Sequence, residues 1–392
     1  MQQSLRRYYS LAVATLGFVV LGVSLFNYAT ISSLVSHQFG ISDTDSGLLT
    51  SVFALTYLIM QIPTGLLSDR IGGAKTLLIA LSITTVAPLF FIFGDSFGGA
   101  LVSRAIAGVG TGMILPADVR LVSSSFAEGK ELHRAMGVLG TGWGGSQSLA
   151  YLVLPLLIIG QDWHPPLEFT VALSLAVALM SVLPARWMTT AASAAARVKV
   201  DVRGLLTRKL LILSLANFTS LVVTVGILAW IPDFLTANLG VGDVEAGRIV
   251  AIIGVTGVAS SFAGGILAHR IGPRPVIFVS MLLLVVVPYF LATSASWEAA
   301  LFWIALLGIG GNVYFGPLTA LVPYASRQGP EVAGISFGVF NTVSNIGSFV
   351  SPIIIGYALD VTGSYLVGFT VLGLLGITGL VSSLMIVGNK HA

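Results

Sequence analysis

Arg104 stands in a run of apolar residues, nine positions after Asp95. On a helix rising about 1.5 Å per residue that is ~13 Å of travel. A guanidinium at such depth can attract an anion. It can also hydrogen-bond to backbone carbonyls of the first apolar segment and only fix structure. Both readings stay open. Other polar side chains recur at helical spacing: Tyr57 with Gln61, Trp143 with Gln147 and Tyr151, and Asn341 with Asn345 and Ser348. Asn27, Tyr28, Asn217, Trp230, Asn312 and Tyr314 lie in similar apolar surroundings. Amides can orient a solute, and aromatic rings can pack on its carbon skeleton. In an apolar helix the same groups can instead bond helix to helix.

A second set of residues could gate. "GLLSDRIGGAK" (65–75) places an acid beside a base between two apolar runs, and "GILAHRIGPRP" (265–275) nearly repeats it. Gly65 would let a neighbouring helix approach closely. Asp69, at a helix end, can cap a facing helix or pair with an arginine. Arg70 and Lys75 would hold the loop at anionic lipid, and Gly72 turns the chain. In the second copy Arg270 is kept and His269 replaces the acid, so that latch is expected to be weaker. Asp118 and Arg120 lie roughly 21 Å beyond Arg104 along the same helix. They are expected to form an inner gate network with Arg134, Glu331 or Arg327. Arg248 reads as an outer gate residue or a simple interfacial charge.

Several chemistries are excluded. The chain has no cysteine, so it carries no disulfide, thiolate nucleophile or cysteine metal site. "GTGWGG" (140–145) has no preceding strand and suits helix packing, not a dinucleotide. "GGAKT" (72–76) lacks phosphate-loop spacing, and no metal-binding spacing occurs. No cofactor and no enzymatic activity are expected. No His, Asp or Glu falls in the middle of an apolar run. Ion coupling is therefore absent, runs through Arg104 and a protonatable substrate, or uses a gate acid such as Asp118.

The elements that position these groups follow from composition. Of 392 residues, 55% are hydrophobic and 9% charged, against about 25% charged in soluble domains. Such a chain belongs in lipid. A spanning helix needs roughly 20 mostly apolar residues. Twelve such runs occur, near 8–34, 47–68, 76–94, 98–121, 135–159, 167–187, 209–232, 247–268, 275–294, 298–322, 333–357 and 366–388. The first is too long for a signal peptide. With the N-terminus inside, all but Arg104 and Arg248 of the 19 Lys and Arg residues fall on cytoplasmic segments or the inner end of a helix. That asymmetry explains the net charge of +3 without nucleic acid. The expected organisation is an N-terminal six-helix bundle (1–187), a cytoplasmic linker (188–208) and a C-terminal six-helix bundle (209–392). "QFGISDTDSG" (38–47) and "NLGVGDVEAG" (238–247) repeat at the same offset of 200 as the two gating stretches, and Gly108 and Gly110 match Gly308 and Gly310.

The pattern at Gly65, Leu67, Asp69, Arg70 and Gly72 resembles the loop signature of the major facilitator superfamily. The copy at Gly265, Leu267, Arg270 and Gly272 stands where that family places its second one. The resemblance covers the whole chain. It implies an all-α integral membrane protein with twelve transmembrane helices in two parallel six-helix pseudo-repeats around a central cavity. It also implies a secondary or facilitative transporter working by alternating access. "RAIAGVGTG" from Arg104 is similar to the family's fourth-helix signature, whose arginine is linked to substrate or proton handling. The glycine-proline signature of drug antiporters is missing, and the eleventh span loosely resembles organic-anion branches. The expected function is transport of a small organic anion across the inner membrane, as a symporter if an ion is coupled. The alternative is an exporter of drugs or other amphipathic compounds. Expected partners are a small-molecule substrate, a co-transported proton or sodium ion if coupling exists, and the lipid bilayer. Both termini are expected in the cytoplasm and the protein as a monomer.

Overall fold

The computed structural model describes residues 2–126, 130–187, 207–322, 325 and 333–386. All twelve apolar runs fall on helices. The first half contains α1 (Gln2–Phe26), a short α2 (Ser32–Phe39), α3 (Asp43–Ile71), α4 (Gly73–Gly94), α5 (Phe97–Ser125), α6 (Lys130–Val153) and α7 (His164–Trp187). The second contains α8 (Arg208–Leu239), α9 (Asp243–Ile271), α10 (Pro273–Ala292), α11 (Trp297–Asn312), a short α12 (Phe315–Thr319), α13 (Ala333–Thr362) and α14 (Tyr365–Met385). Eleven segments among the described residues are long and apolar enough to cross a membrane. The 24-residue α6 stands at the place of the remaining run. Large apolar side chains such as Ile59, Phe93, Leu179, Phe262 and Phe302 stand exposed. Such a surface is a liability in water and is suited to hydrocarbon.

The first and tenth runs are interrupted within their length. The first stops at Phe26 and passes through a single tight turn before α2. The Asn27 carbonyl there accepts from Thr30 Oγ1 at 2.7 Å. The tenth stops at Asn312. Pro317, in the next turn, would collide with the Val313 carbonyl in a continuous helix. That carbonyl instead packs on α9, where a Cβ at Gly264 would stand 2.0 Å from it.

The same devices recur at an offset of 200. Ser96 caps α5 by accepting from Gly99 N, and Ser296 caps α11 by accepting from Ala299 N. Gly72, between α3 and α4, has φ +89°, and Gly272, between α9 and α10, has φ +88°. Both take a backbone conformation that L side chains resist.

By contacts the chain forms two compact units. One comprises Met1–Ile41 with Val52–Ala195, the other Ser42–Ser51 with Ala196–Ala392. In the first, α4 packs on α5 and α7, and α1 on α5 and α6. In the second, α8 packs on α13 and α14, α10 on α14, and α9 on α11. Glycine sets the closest crossings. A Cβ at Gly108 would lie 2.0 Å from Thr56 Oγ1, and one at Gly308 2.2 Å from Thr256 Oγ1.

The residues Ser42–Ser51 are a departure from a division at a linker alone. Their place in the second unit has a local cause. A Cβ at Gly47 would stand 2.5 Å from the Pro352 carbonyl, and one at Gly356 2.3 Å from the Asp43 carbonyl. The expected linker 188–208 lies outside the described residues except at its end. There Thr207 caps α8 by accepting from Leu210 N at 3.1 Å.

Candidate functional site

Arg104, on α5, is 3% exposed. Its Nη1 donates to the Ser24 carbonyl at 2.8 Å and to Asn27 Oδ1 at 3.1 Å, and Nη2 donates to the Leu25 carbonyl at 3.3 Å. The guanidinium also lies over the rings of Phe53 and Tyr28, at 4.5 Å and 5.7 Å. The carbonyls explain the geometry. α1 stops at Phe26, so its last carbonyls have no helical partner and carry partial negative charge. Arg104 satisfies two of them. Asn27 in turn donates to Thr170 Oγ1 on α7 at 3.4 Å. One cation thus ties α1, α5 and α7 together. The helix-fixing reading of Arg104 is what the geometry displays.

Other expected site residues are engaged in the same way. Pro116 cannot donate to the Gly112 carbonyl, and Gln61 Nε2 supplies the missing donor at 3.3 Å. Tyr28 is buried against Phe91. In the second unit the Tyr314 hydroxyl donates to Asn217 Oδ1 at 2.6 Å, and Trp230 Nε1 donates to the Pro352 carbonyl at 3.1 Å. Asn312 donates to the Gly308 carbonyl one turn back. Asn345 donates to the backbone and side-chain oxygens of Asn341. The residues that keep exposed surface are Tyr57, Trp143, Asn312 and Asn341. Trp143 stands against Phe18 at 5.8 Å and Phe26 at 5.6 Å. Gln147, one turn from it, is buried with its Oε1 accepting no hydrogen bond.

The gating residues divide differently. Gly72 makes the expected turn. Gly65 does not provide a close helix contact, because a Cβ there would meet nothing within 4 Å; the tight crossings use Gly108 and Gly47 instead. Arg70 and Arg270 are exposed. The side chains of Asp69 and Arg134 and the whole of Glu331 lie outside the described residues. Asp118 is not a charge at a watery helix end. It is 0% exposed, and both its oxygens lack a hydrogen-bond partner. The reason is helix phase: Asp118 shares a face with Ile114, Leu121 and Val122, which pack in the core of the first unit, whereas Arg120 points elsewhere and is half-buried. Arg248 pairs with Glu245 at 3.1 Å on the surface, as an interfacial charge would.

One helix cap escaped the sequence reading. Asp360, at the end of α13, accepts from the backbone N–H groups of Asp43 and Thr44 at 3.0 Å and 2.8 Å, and from the Thr44 hydroxyl. It caps α3 within the second unit. No spacing rule could connect groups 317 positions apart.

Comparison with known proteins adds four findings. The sequence profile of the Major Facilitator Superfamily matches residues 14–352, and again 213–390. A probable galactarate/D-glucarate transporter of Bacillus subtilis is 26% identical, over 95% of this chain and 91% of that protein. A D-galactonate transporter of Escherichia coli O6:H1 is 25% identical, over 98% and 96%. Among solved structures, a bacterial homolog to the human lysosomal transporter Spinster superposes with a TM-score of 0.75. It is 19% identical and covers 96% of this chain and 95% of its own.

Proposed function

The chain belongs to the major facilitator superfamily, and from that premise we propose that it carries a small organic anion by alternating access. The coarser statement needs no proposal: this is a multi-pass membrane protein and a solute transporter, not an enzyme. The observation that carries the finer reading is the buried Arg104 guanidinium, set among amides and aromatic rings. Cations in a membrane interior are costly and retained for use. Both relatives carry sugar acids by name, and hydroxylated carboxylates suit such a set.

In this reading a substrate carboxylate approaches Arg104 and displaces its bond to the Leu25 carbonyl at 3.3 Å. Charge-assisted pairing compensates for the lost bond. Within the first unit, the partly exposed Trp143 packs on the carbon chain. Releasing the Leu25 carbonyl loosens the end of α1, which couples occupancy to movement of that helix. The basic residues favour cytoplasmic termini, with Arg70 and Arg270 on the inner side. The protein acts as a monomer.

The test is thermal unfolding of purified protein with galactarate, D-glucarate, D-galactonate and lipophilic cations. A ligand stabilises by mass action, about 2.7 kcal/mol at a hundred times its Kd. Sugar acids are expected to raise the unfolding temperature of the wild type and not of Arg104→Ala. Stabilisation by lipophilic cations alone, equal in both proteins, sinks the anion reading in favour of an exporter.

A further inference from the structure

Asp118 takes no part in the hydrogen bonds that hold Arg104, Gln61 and Tyr314. Its carboxyl group sits where α5 crosses α1 and α4. A side chain at Gly17 on α1 would stand 3.2 Å and 3.3 Å from its two oxygens, and 3.2 Å from Leu77 Cδ1 on α4. The carboxyl therefore fills the room that Gly17 leaves. Both oxygens are buried without a hydrogen-bond donor.

The described charged groups on the packed helices are elsewhere. On α1, Arg6 lies over the Trp187 ring and Arg7 over the rings of Tyr8 and Phe126. Arg7 is ten positions from Gly17, ~15 Å along the helix. Tyr9 donates to the Met180 carbonyl. On α4, Lys75 is exposed. On α5 itself, Arg120 is turned about 200° away and Arg104 is ~21 Å off. The first turn of α6 carries Lys130, Glu131, His133 and Arg134, whose side chains lie outside the described residues.

An ionised carboxylate with neither donor nor cation is far costlier to bury than a neutral acid. A metal ion would require several oxygen ligands, and among the described residues no group of three His, Cys, Asp or Glu could hold one. A proton needs nothing more than the carboxyl itself.

We propose that Asp118 is the proton site of the transport cycle, closed off between α1, α4 and α5 and emptied when that packing opens to water. The proton leaves a carboxylic acid O–H for water and returns from water to the same carboxylate; no electrons move. The proposal rests on the anion-transport reading, because it assigns the ion that would drive anion movement.

Two measurements test it. The first is the infrared spectrum of the purified protein at neutral pH. The carbonyl stretch of a buried carboxylic acid is expected in the wild type, absent from Asp118→Asn and shifted in Gly17→Ala, whose new methyl group crowds the carboxyl. If no such band distinguishes wild type from either variant, Asp118 holds no proton and the proposal fails. Gly17→Ala keeps this arm decisive should Asp118→Asn not fold. The second measurement uses vesicles loaded with D-galactonate or galactarate. Asp118→Asn is expected to exchange anion across the membrane yet lose at least tenfold of the accumulation driven by a pH gradient. Accumulation equal to wild type overturns the proposal even if the band is present. If wild type moves neither anion, the anion reading is at fault, and the infrared arm alone decides whether Asp118 binds a proton.

Discussion

Arg104 in the first unit corresponds at an offset of 200 to Ile304 in the second, Asp118 to Leu318, and Asn27 to Ile227. All six are buried. The backbone devices around them are shared: Gly72 with Gly272, Ser96 with Ser296, Gly108 with Gly308. The two units thus repeat their turns, caps and close crossings, while among the described residues the buried ionisable groups Arg104 and Asp118 belong to the first. Where the first unit sets Gly17 against the Asp118 carboxyl, the second has Asn217 bonded to Tyr314. Turn and crossing geometry is dictated by backbone sterics, which both copies must satisfy. Interior charge has no such requirement and persists where it is used.

Breaking this asymmetry should have the largest effect. Ile304→Arg places a charge in the second unit with no freed carbonyls to receive it, at a cost of about 3 kcal/mol. A sharp loss of monodisperse protein on size exclusion is expected. Arg104→Ala removes the charge from the first unit and leaves the Ser24 and Leu25 carbonyls uncapped. It is expected to lower stability by about 1.5–3 kcal/mol, read as a fall in unfolding temperature, and to abolish anion-dependent stabilisation.

The shared crossings can be graded. A Cβ at Gly108 would lie 2.2 Å from the Phe53 carbonyl, whereas one at Gly308 would lie 3.0 Å from the Ile253 carbonyl. Gly108→Ala should therefore cost more than Gly308→Ala, within about 1–3 kcal/mol for overpacking. Equal shifts in unfolding temperature would show that the two crossings relax alike. Tyr314→Phe deletes one interhelical hydrogen bond of the second unit, a loss of roughly 0.6 kcal/mol in membrane proteins.

The smallest effect lies outside the spans. The His164 backbone N–H and ring hold the Asp162 carboxyl below the usual carboxylate range. Its contribution is present above that range and disappears as pH falls through the lowered value. Because the pair is exposed, solvent screening limits this to no more than about 0.5 kcal/mol. Asp162→Asn should flatten that part of the stability–pH curve without touching transport.

Much of this architecture was legible in the chain. Runs of about 20 apolar residues can only be satisfied by helices in lipid. The 200-residue repeat was visible in glycines because positive φ and close approach admit little else. Arg104 stood out because charge at membrane depth is rare. Its partners did not, since an uncapped carbonyl depends on where α1 stops. The sequence suggested that Gly65 was a packing residue; the structure gives that role to Gly47 and Gly108, because the facing backbone decides which glycine is crowded.

The sequence by itself determined membrane residence, the number of spans, the doubled plan and which residues are charged. Those follow from composition and local backbone preference, which need no partner. Only the tertiary structure decided what each polar group meets. It placed Arg104 on the end of α1, Asp360 on the start of α3, and Asp118 in the room left by Gly17. Such contacts join residues tens to hundreds of positions apart. Helix phase and the crossing of neighbouring helices select them, and neither is written in the spacing along one chain.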